Sequence, residues 1–303
     1  MVTWKGCLAP RFLSGNKGTK HSTYRGLMTS LDDAARVIEA ADALLITAGA
    51  GMGVDSGLPD FRGGQGFWNA YPPYRALKID FLEISSPDWF RKDPAFAWGF
   101  YGHRRNLYRE TQPHNGYHLL REWAGKKKNG YFVVASNVDG AFKKAGFEED
   151  RIVEAHGSIE WNQCLSICGA GITPAGPETV EIDTDQMRAV SQIPTCPGCS
   201  GTTRPNIMMF GDPYWDKRRT EAQLERFYAW LTGVRKKNVV VIECGAGIEI
   251  PSIRERSEEV IEEVGGKLVR INPAHARAPT GQIGLEMGAL EALSKINLAH
   301  SSM

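Results

Sequence analysis

The chain alternates short apolar runs with longer stretches in which apolar positions recur every three or four residues. The runs at 42–48 (DALLITA), 131–136 (YFVVAS), 151–156 (RIVEAH), 238–244 (NVVVIEC) and 267–272 (KLVRIN) predict strands. Their continuity suits strands buried on both faces. Helical spacing predicts a helix capped at Ser30 and Asp33 and running through AARVIEAAD, and further helices at 94–110, 115–127, 215–231 and 252–264. Strands alternating with helices predict an α/β fold with a doubly wound parallel sheet. Residues 157–206 break the pattern. Cys, Pro, Gly and Thr replace periodicity there, and the stretch reads as an inserted lobe with its own support.

Composition narrows the picture. The chain has 303 residues, 42% of them hydrophobic, enough for a substantial core. The formal net charge of +1 implies no bulk attraction to nucleic acid or to a membrane. No apolar run approaches the roughly 18 residues of a membrane span. The first 27 residues carry Lys5, Arg11, Lys17, Lys20 and Arg25 and no acid. A disordered tail, or a true start at Met28, is favoured over a targeting peptide, so a cytoplasmic location is expected with organelle targeting left open. The main domain then runs from 28 to about 300.

Candidate chemistry begins where the first strand ends. Between residues 49 and 66 lie seven glycines, in GAGMGVDSGLPDFRGGQG. After a strand of such a sheet, glycines let backbone N–H groups approach a phosphate. The loop has no Gly-Lys-Ser/Thr and is a poor dehydrogenase fingerprint, so a plain strand-to-helix turn is the competing reading. The strand VVVIEC is followed by the same grammar in GAGIEIP. Two such junctions suggest two backbone surfaces on one extended ligand, and a dinucleotide is the natural candidate. SNVDG, at 136–140, closes another strand, where Asn137 and Asp139 could orient an amide and a ribose or could form a plain Asx turn.

Four of the six cysteines form Cys164-x3-Cys168 and Cys196-Pro-Gly-Cys199. Four thiolates from two knuckles make a closed tetrahedral zinc site, so one structural ion is expected. A redox Cys-x-x-Cys lacks the strand-helix setting that it needs.

SGLPDFRG, NVD, EAHGSIE, the paired cysteines, RPNIMMFGD, ECGAG and IN follow one another in order from about 30 to about 290. Together they resemble the sirtuins, the NAD-dependent protein deacylases. The resemblance implies a large Rossmann-like domain for NAD, a small zinc lobe, and an acyl-lysine protein or peptide as substrate. It assigns Gly49, Ala50 and Gly51 to the phosphate loop. Asp60, Phe61 and Arg62 go to the nicotinamide ribose, Ser136, Asn137 and Asp139 to the nicotinamide pocket, and Gly245, Ala246, Gly247 and Asn272 to the adenosine side. Phe210 and Gly211 would pair with the substrate peptide as an added strand. His156 matches the catalytic histidine, assisted by Asn137, and His118 a structural one. The implied reaction begins with attack of the acyl oxygen on C1′ of the nicotinamide ribose. Nicotinamide leaves and an alkylimidate forms. His156 then acts as general base on a ribose hydroxyl, and water releases free lysine and O-acyl-ADP-ribose.

Tyr101 and Arg104, at i and i+3 in FYGHRRNLY, resemble the motif of sirtuins that remove succinyl, malonyl and glutaryl groups. An arginine fork and a phenol can hold a distal carboxylate, whereas the competing reading is a solvated basic face shared with Arg105 and Arg109. The chain departs from the family at Gly53, Ser136 and Ala246-Gly247, where Ser, Gln and Thr-Ser are usual. Two other classes stay open beside a deacylase. One is an NAD-consuming ADP-ribosyltransferase or hydrolase, which would yield no O-acyl-ADP-ribose. The other is a non-catalytic NAD or ADP-ribose module, in which His156→Ala would change no turnover. Oligomeric state is not legible.

Overall fold

The computed structural model describes residues 24–59 and 64–300. Eleven strands occur among them: β1 (Ala43–Ala48), β2 (Tyr131–Ala135), β3 (Ile152–Glu154), β4 (Gly157–Cys164), β5 (Ile172–Pro174), β6 (Ile182–Asp183), β7 (Arg188–Ala189), β8 (Thr203–Ile207), β9 (Val239–Cys244), β10 (Lys267–Ile271) and β11 (Ile283–Leu285). The main sheet has the order β11-β10-β9-β1-β2-β3. The pairs β1/β9, β9/β10 and β10/β11 are parallel. The chain therefore winds outward from β1 in one direction and from β9 in the other, and the switch lies between those two strands. Every residue of both strands is buried, as continuous apolar runs with a helical layer on each face require.

Contacts divide the chain into two compact units. The first comprises, among the described residues, 24–52, 119–133 and 231–300. In it the helix Tyr24–Glu39 packs on Ala289–His300, burying Ala34, Ala35 and Ile38 on one side and Ala292, Leu293 and Ile296 on the other. The helix Ser252–Val264 is tied to β1 through the buried Thr47–Ser257 hydroxyl pair, 2.8 Å apart. Two expectations shift here. The first helix begins at Tyr24 rather than at Ser30, which lies in its second turn; serine is tolerated in a helix interior, so a local cap pattern does not force a start. The strand Ile283–Leu285 and the helix Ala289–His300 extend the fold beyond the elements read from the sequence.

The second unit comprises, among the described residues, 53–59, 64–118 and 134–230. Its centre is the helix Pro94–Glu110, capped by the Asp93 carboxylate on the Phe96 N–H and closed by Lys144, whose Nζ donates to the carbonyls of Tyr108, Arg109 and Thr111. Around it lies an aromatic core of Phe67, Tyr71, Tyr74, Phe90, Trp98 and Phe100. The antiparallel sheet β5-β4-β8 and the hairpin β6-β7 belong to the same unit and fall within 157–207.

That hairpin straps the central helix. A Cβ on Gly99 would stand 1.9 Å from the Met187 carbonyl oxygen, and one on Gly102 2.9 Å from Val180 Cβ. Asn106 donates to Val180 O at 2.8 Å, and Arg188 makes a two-pronged ion pair with Asp93. Arg109 reaches Glu160 at 2.7 Å and the carbonyl of Gly176 at 2.8 Å. Glycine in a helix interior costs about 1 kcal/mol relative to alanine. Here it removes the side chains that the hairpin would strike.

Candidate functional site

In the first unit the two glycine junctions meet. The Gly49 N–H donates to Cys244 O and the Gly51 N–H to Gly245 O, both at 3.0 Å. A Cβ on Gly49 would stand 2.8 Å from Ala246 Cα, and one on Gly51 2.9 Å from Gly245 Cα. Gly245 has φ +64°, and a Cβ there would lie 2.2 Å from the Met52 nitrogen. These glycines therefore have a partner within the protein: each loop clears the way for the backbone of the other. The segment after β1 is a 3-10 turn, Ala50–Ser56, rather than an α-helix. Asn272 stands behind the second loop. Its amide donates to Ala246 O at 2.9 Å, and its side-chain oxygen accepts from the N–H groups of Ala274 and His275. Arg254 reaches the same Ala246 carbonyl and those of His275 and Arg277. Gly247 follows Ala246 in this loop, so Gly49, Ala50, Gly51, Gly245, Ala246, Gly247 and Asn272 all lie at or behind the switch between β1 and β9, where doubly wound sheets bind ligands.

Beneath that loop is a buried ion network. Arg270 binds Glu243 through two prongs, at 2.6 and 3.0 Å, and Glu258 at 2.7 Å. The Arg270 and Glu243 side chains are essentially inaccessible. Neither this network nor Arg254 was legible as a unit in the sequence, since its members come from three separate elements.

The second unit holds the remaining candidates. Ser136, Asn137 and Asp139 follow β2 directly. The Asp139 carboxylate caps the Ala141 N–H at 2.9 Å. Burial raises its pKa above the ordinary carboxylate value, against the pull of that N–H and of Arg104. His156 sits between β3 and β4, half-buried, and its carbonyl accepts from the Met208 N–H at 2.9 Å. Gly157, with φ +77°, turns the chain there, and a Cβ would meet Asn206 O at 2.0 Å. Phe210 packs edge-on against Phe81, and its N–H is taken by Ser85 O; Gly211 next to it has φ +63°. In the neighbouring loop the His114 ring, not that of His118, makes the clear local support, accepting from the Gly116 N–H at 3.0 Å. Asp60, Phe61 and Arg62 lie outside the described residues.

Tyr101 and Arg104 share the central helix, but not as a solvated face. Both are buried, and Arg105 is too, bonded to Ile159 O and Asn162. The Arg104 guanidinium lies within 6 Å of the rings of Phe100, Tyr108, Tyr101 and Phe81, at 5.2, 5.4, 5.8 and 5.9 Å. It donates to the Tyr108 hydroxyl from Nε at 3.1 Å and from Nη2 at 2.7 Å. Tyr108 was not singled out from the sequence, although its i+4 offset from Arg104 was there to be read.

The four cysteines converge as expected. All four Sγ atoms lie within 4.8 Å of one another, with Cys164–Cys199 at 3.6 Å and Cys168–Cys196 at 3.4 Å. Zn–S bonds of about 2.3 Å in a tetrahedron place sulfurs about 3.8 Å apart, so the set fits one zinc ion. The turns that aim the sulfurs use positive φ at Ile167 and Ser200. Against the effect of burial, N–H groups of Cys168 and Ser166 favour the thiolate at Cys164, while the crowding of the other three sulfurs favours the thiol at Cys168.

A family model described as the Sir2 family matches residues 49–228, more than half of the chain. The chain is similar to NAD-dependent protein deacylase 1 of Caldanaerobacter subterraneus subsp. tengcongensis, at 31% identity over 179 residues. That match covers 59% of this chain and 64% of the relative, a little under two thirds of its length. It is also similar to the NAD-dependent protein deacetylase of Saccharolobus solfataricus, at 29% over 232 residues, covering 74% and 78%. Among solved structures, a Sir2 homologue in complex with NAD matches with a TM-score of 0.62 at 22% identity, covering 89% of this chain and 94% of that one. A mutant Sir2 homologue in complex with ADP-ribose matches at 0.60 and 23%, covering 89% and 96%. At these identities the structures establish a shared fold.

Proposed function

The chain belongs to the Sir2 family, and from that premise we propose that it is an NAD-dependent protein-lysine deacylase. The observation that carries the reading is the interlock of the two strand-end glycine loops at the sheet switch, backed by Asn272. It sets the two loops side by side at the strand ends where a doubly wound sheet takes a dinucleotide. NAD, as cosubstrate, supplies an electrophilic ribose carbon and accepts the acyl group. Gly49, Ala50, Gly51, Gly245, Ala246 and Gly247 hold its phosphates and adenosine side. Ser136, Asn137 and Asp139 orient the nicotinamide end, where the family resemblance also assigns Asp60, Phe61 and Arg62. His156 takes a proton from a ribose hydroxyl. Its position at a strand end, fixed by the Met208 N–H, suits a group that must hold one orientation. Phe210 and Gly211 receive the substrate backbone. One zinc ion on Cys164, Cys168, Cys196 and Cys199 is structural, because four thiolates leave no open position.

The finer reading is a preference for acidic acyl groups. It is supported by a buried guanidinium, Arg104, held among aromatic rings beside Tyr101. The deciding experiment incubates the protein with NAD and matched acetyl- and succinyl-lysine peptides, following peptide mass and nicotinamide. Peptide-dependent nicotinamide release with faster loss of succinyl supports both readings. Faster loss of acetyl keeps the deacylase and removes the acidic preference. Nicotinamide release without deacylated peptide replaces the deacylase with an ADP-ribosyltransferase or hydrolase.

A further inference from the structure

Three successive residues lead up to and include the general base, and each is held by a different element. The Ala155 N–H donates to Ala135 O on β2 at 2.8 Å, and the His156 carbonyl accepts from the Met208 N–H, just past β8, at 2.9 Å. Glu154 is the last residue of β3, which ends the strand order of the main sheet. A sheet edge leaves N–H and C=O groups that need partners. Side chains from the first two turns of the helix Arg218–Val234 supply them. Gln223 Oε1 accepts from the Glu154 N–H at 3.0 Å, and Thr220 Oγ1 donates to the Glu154 carbonyl at 3.1 Å. The Glu154 carboxylate is taken by the Arg219 guanidinium, with Gln223 Nε2 3.4 Å away. Gln223 and Thr220 are both buried, so bulk water does not compete for these bonds. Arg219 also lies over the Trp161 ring, 4.7 Å from its centroid, and Trp161 is on β4, the strand that leaves His156. One stretch of helix thus grips both the strand that enters the His156–Gly157 corner and the strand that leaves it. All of these residues belong to the second unit.

The structure assigns Arg219, Thr220 and Gln223 a positioning role: through Glu154 they fix the backbone from which the His156 imidazole projects. They act through Glu154 rather than on the reacting atoms. This rests on the deacylase reading, in which His156 is the general base. A general base works at about 2.6–3.2 Å from the proton donor it serves, and a displacement of about 1 Å costs on the order of a hundred-fold in rate. The Gly157 corner adds no stiffness of its own, because glycine restricts the backbone least. The clamp therefore bears on one half of the reaction. Nicotinamide leaves before His156 takes its proton, so the first step does not call on the clamp and the second does.

The test uses Gln223→Leu and Thr220→Val, which remove clamp bonds at nearly constant volume, with Thr220→Ser, which keeps the hydroxyl, and His156→Ala as the reference for loss of the base. Each protein is incubated with NAD, labelled nicotinamide and whichever of the acetyl- and succinyl-lysine peptides the wild type turns over faster. Exchange of label into NAD reports the first step, and formation of O-acyl-ADP-ribose reports the second. Gln223→Leu should slow product formation about ten- to a hundred-fold while exchange stays within about two-fold of wild type. Thr220→Val should shift the same ratio by less, and Thr220→Ser should restore it. Should Gln223→Leu fail to fold, the Thr220→Val and Thr220→Ser pair carries the same comparison. Exchange and product falling together would show that the helix turn only supports the fold or the nicotinamide end, overturning the inference. Unchanged product formation in the folded variants would overturn it too, leaving the deacylase reading intact. A product rate indifferent to His156→Ala, or a wild type that forms no O-acyl-ADP-ribose, would instead remove the reading on which the inference rests.

Discussion

Arg270 and Arg104 are both buried arginines, and they are held in opposite ways. Arg270, on β10 in the first unit, is bound by the carboxylates of Glu243 and Glu258. Arg104, on the central helix of the second unit, donates to a phenol and is ringed by aromatic faces. The first arrangement cancels charge within the scaffold and links β9, β10 and the helix after the second glycine loop. The second sets the guanidinium against a neutral phenol oxygen, with the Asp139 carboxylate also feeling its charge. The same side chain is structural in one setting and suited to recognition in the other, and the chemistry of the partner makes the difference.

The sharpest way to break the comparison is Arg270→Met. It leaves the inaccessible Glu243 carboxylate to the longer, 4.0 Å contact with Arg254, and removing one member of a buried ion pair typically costs about 3–5 kcal/mol. Urea unfolding of this variant should show a midpoint far below wild type. Adding Glu243→Gln should recover part of the loss. Arg104→Met, by contrast, takes a donor from a neutral phenol and should cost about 1–3 kcal/mol. Equal midpoints for the two single variants would erase the distinction between scaffold and recognition arginines.

A smaller effect tests how the recognition helix is held. Gly99→Ala places a methyl where the Met187 carbonyl stands, so the hairpin must move. Overpacking of this kind costs about 1–3 kcal/mol despite the better helix propensity of alanine. The expected signature is faster amide exchange in both the helix and residues 180–189. A stabilised protein with unchanged exchange would show that the strap is not tight.

The smallest change should carry the opposite sign. Asp139 has a raised pKa because burial disfavours its charged form. The folded protein then holds the proton more tightly than the unfolded chain does. Ionisation therefore costs stability, a cost absent below the ordinary value near 3.8 and complete once pH has passed the raised value. Asp139→Asn keeps an acceptor for the Ala141 N–H. It should match wild type in melting temperature at low pH and exceed it at neutral pH, while weakening NAD binding. A melting temperature that falls at neutral pH would mean that the carboxylate has a stabilising partner.

Much of this was legible in sequence because it is periodic or closely spaced. The helix Pro94–Glu110 and the helix Ser252–Val264 fall on the residues that their pattern marks, and the cysteine knuckles announce their own geometry. What was hidden depends on distance in the fold. Gly49, Gly51 and Gly245 looked like space cleared for a ligand, yet they first make room for one another, across almost two hundred residues of chain. Glu243 and Arg270 read as single charges interrupting apolar strands until parallel pairing set them side by side. The three-residue strand Ile283–Leu285 is too short to show any period. A signal for the strap did exist: two glycines three apart inside an otherwise good helix, Gly99 and Gly102, are costly unless something packs against them.

That strap also bears on how such a protein can change over generations. The hairpin between the cysteine pairs would ordinarily be a place where insertions and exchanges are harmless. Here its backbone at Met187 and the side chains of Val180 and Ile182 occupy the volume left by two missing side chains on the helix that carries Tyr101, Arg104 and Tyr108. A replacement at 99 or 102 must be answered by a change near 180 or 187, and a cysteine-bearing segment borrowed from a relative would have to bring its matching helix along. The metal-binding insert and the recognition helix are therefore expected to be inherited as one piece.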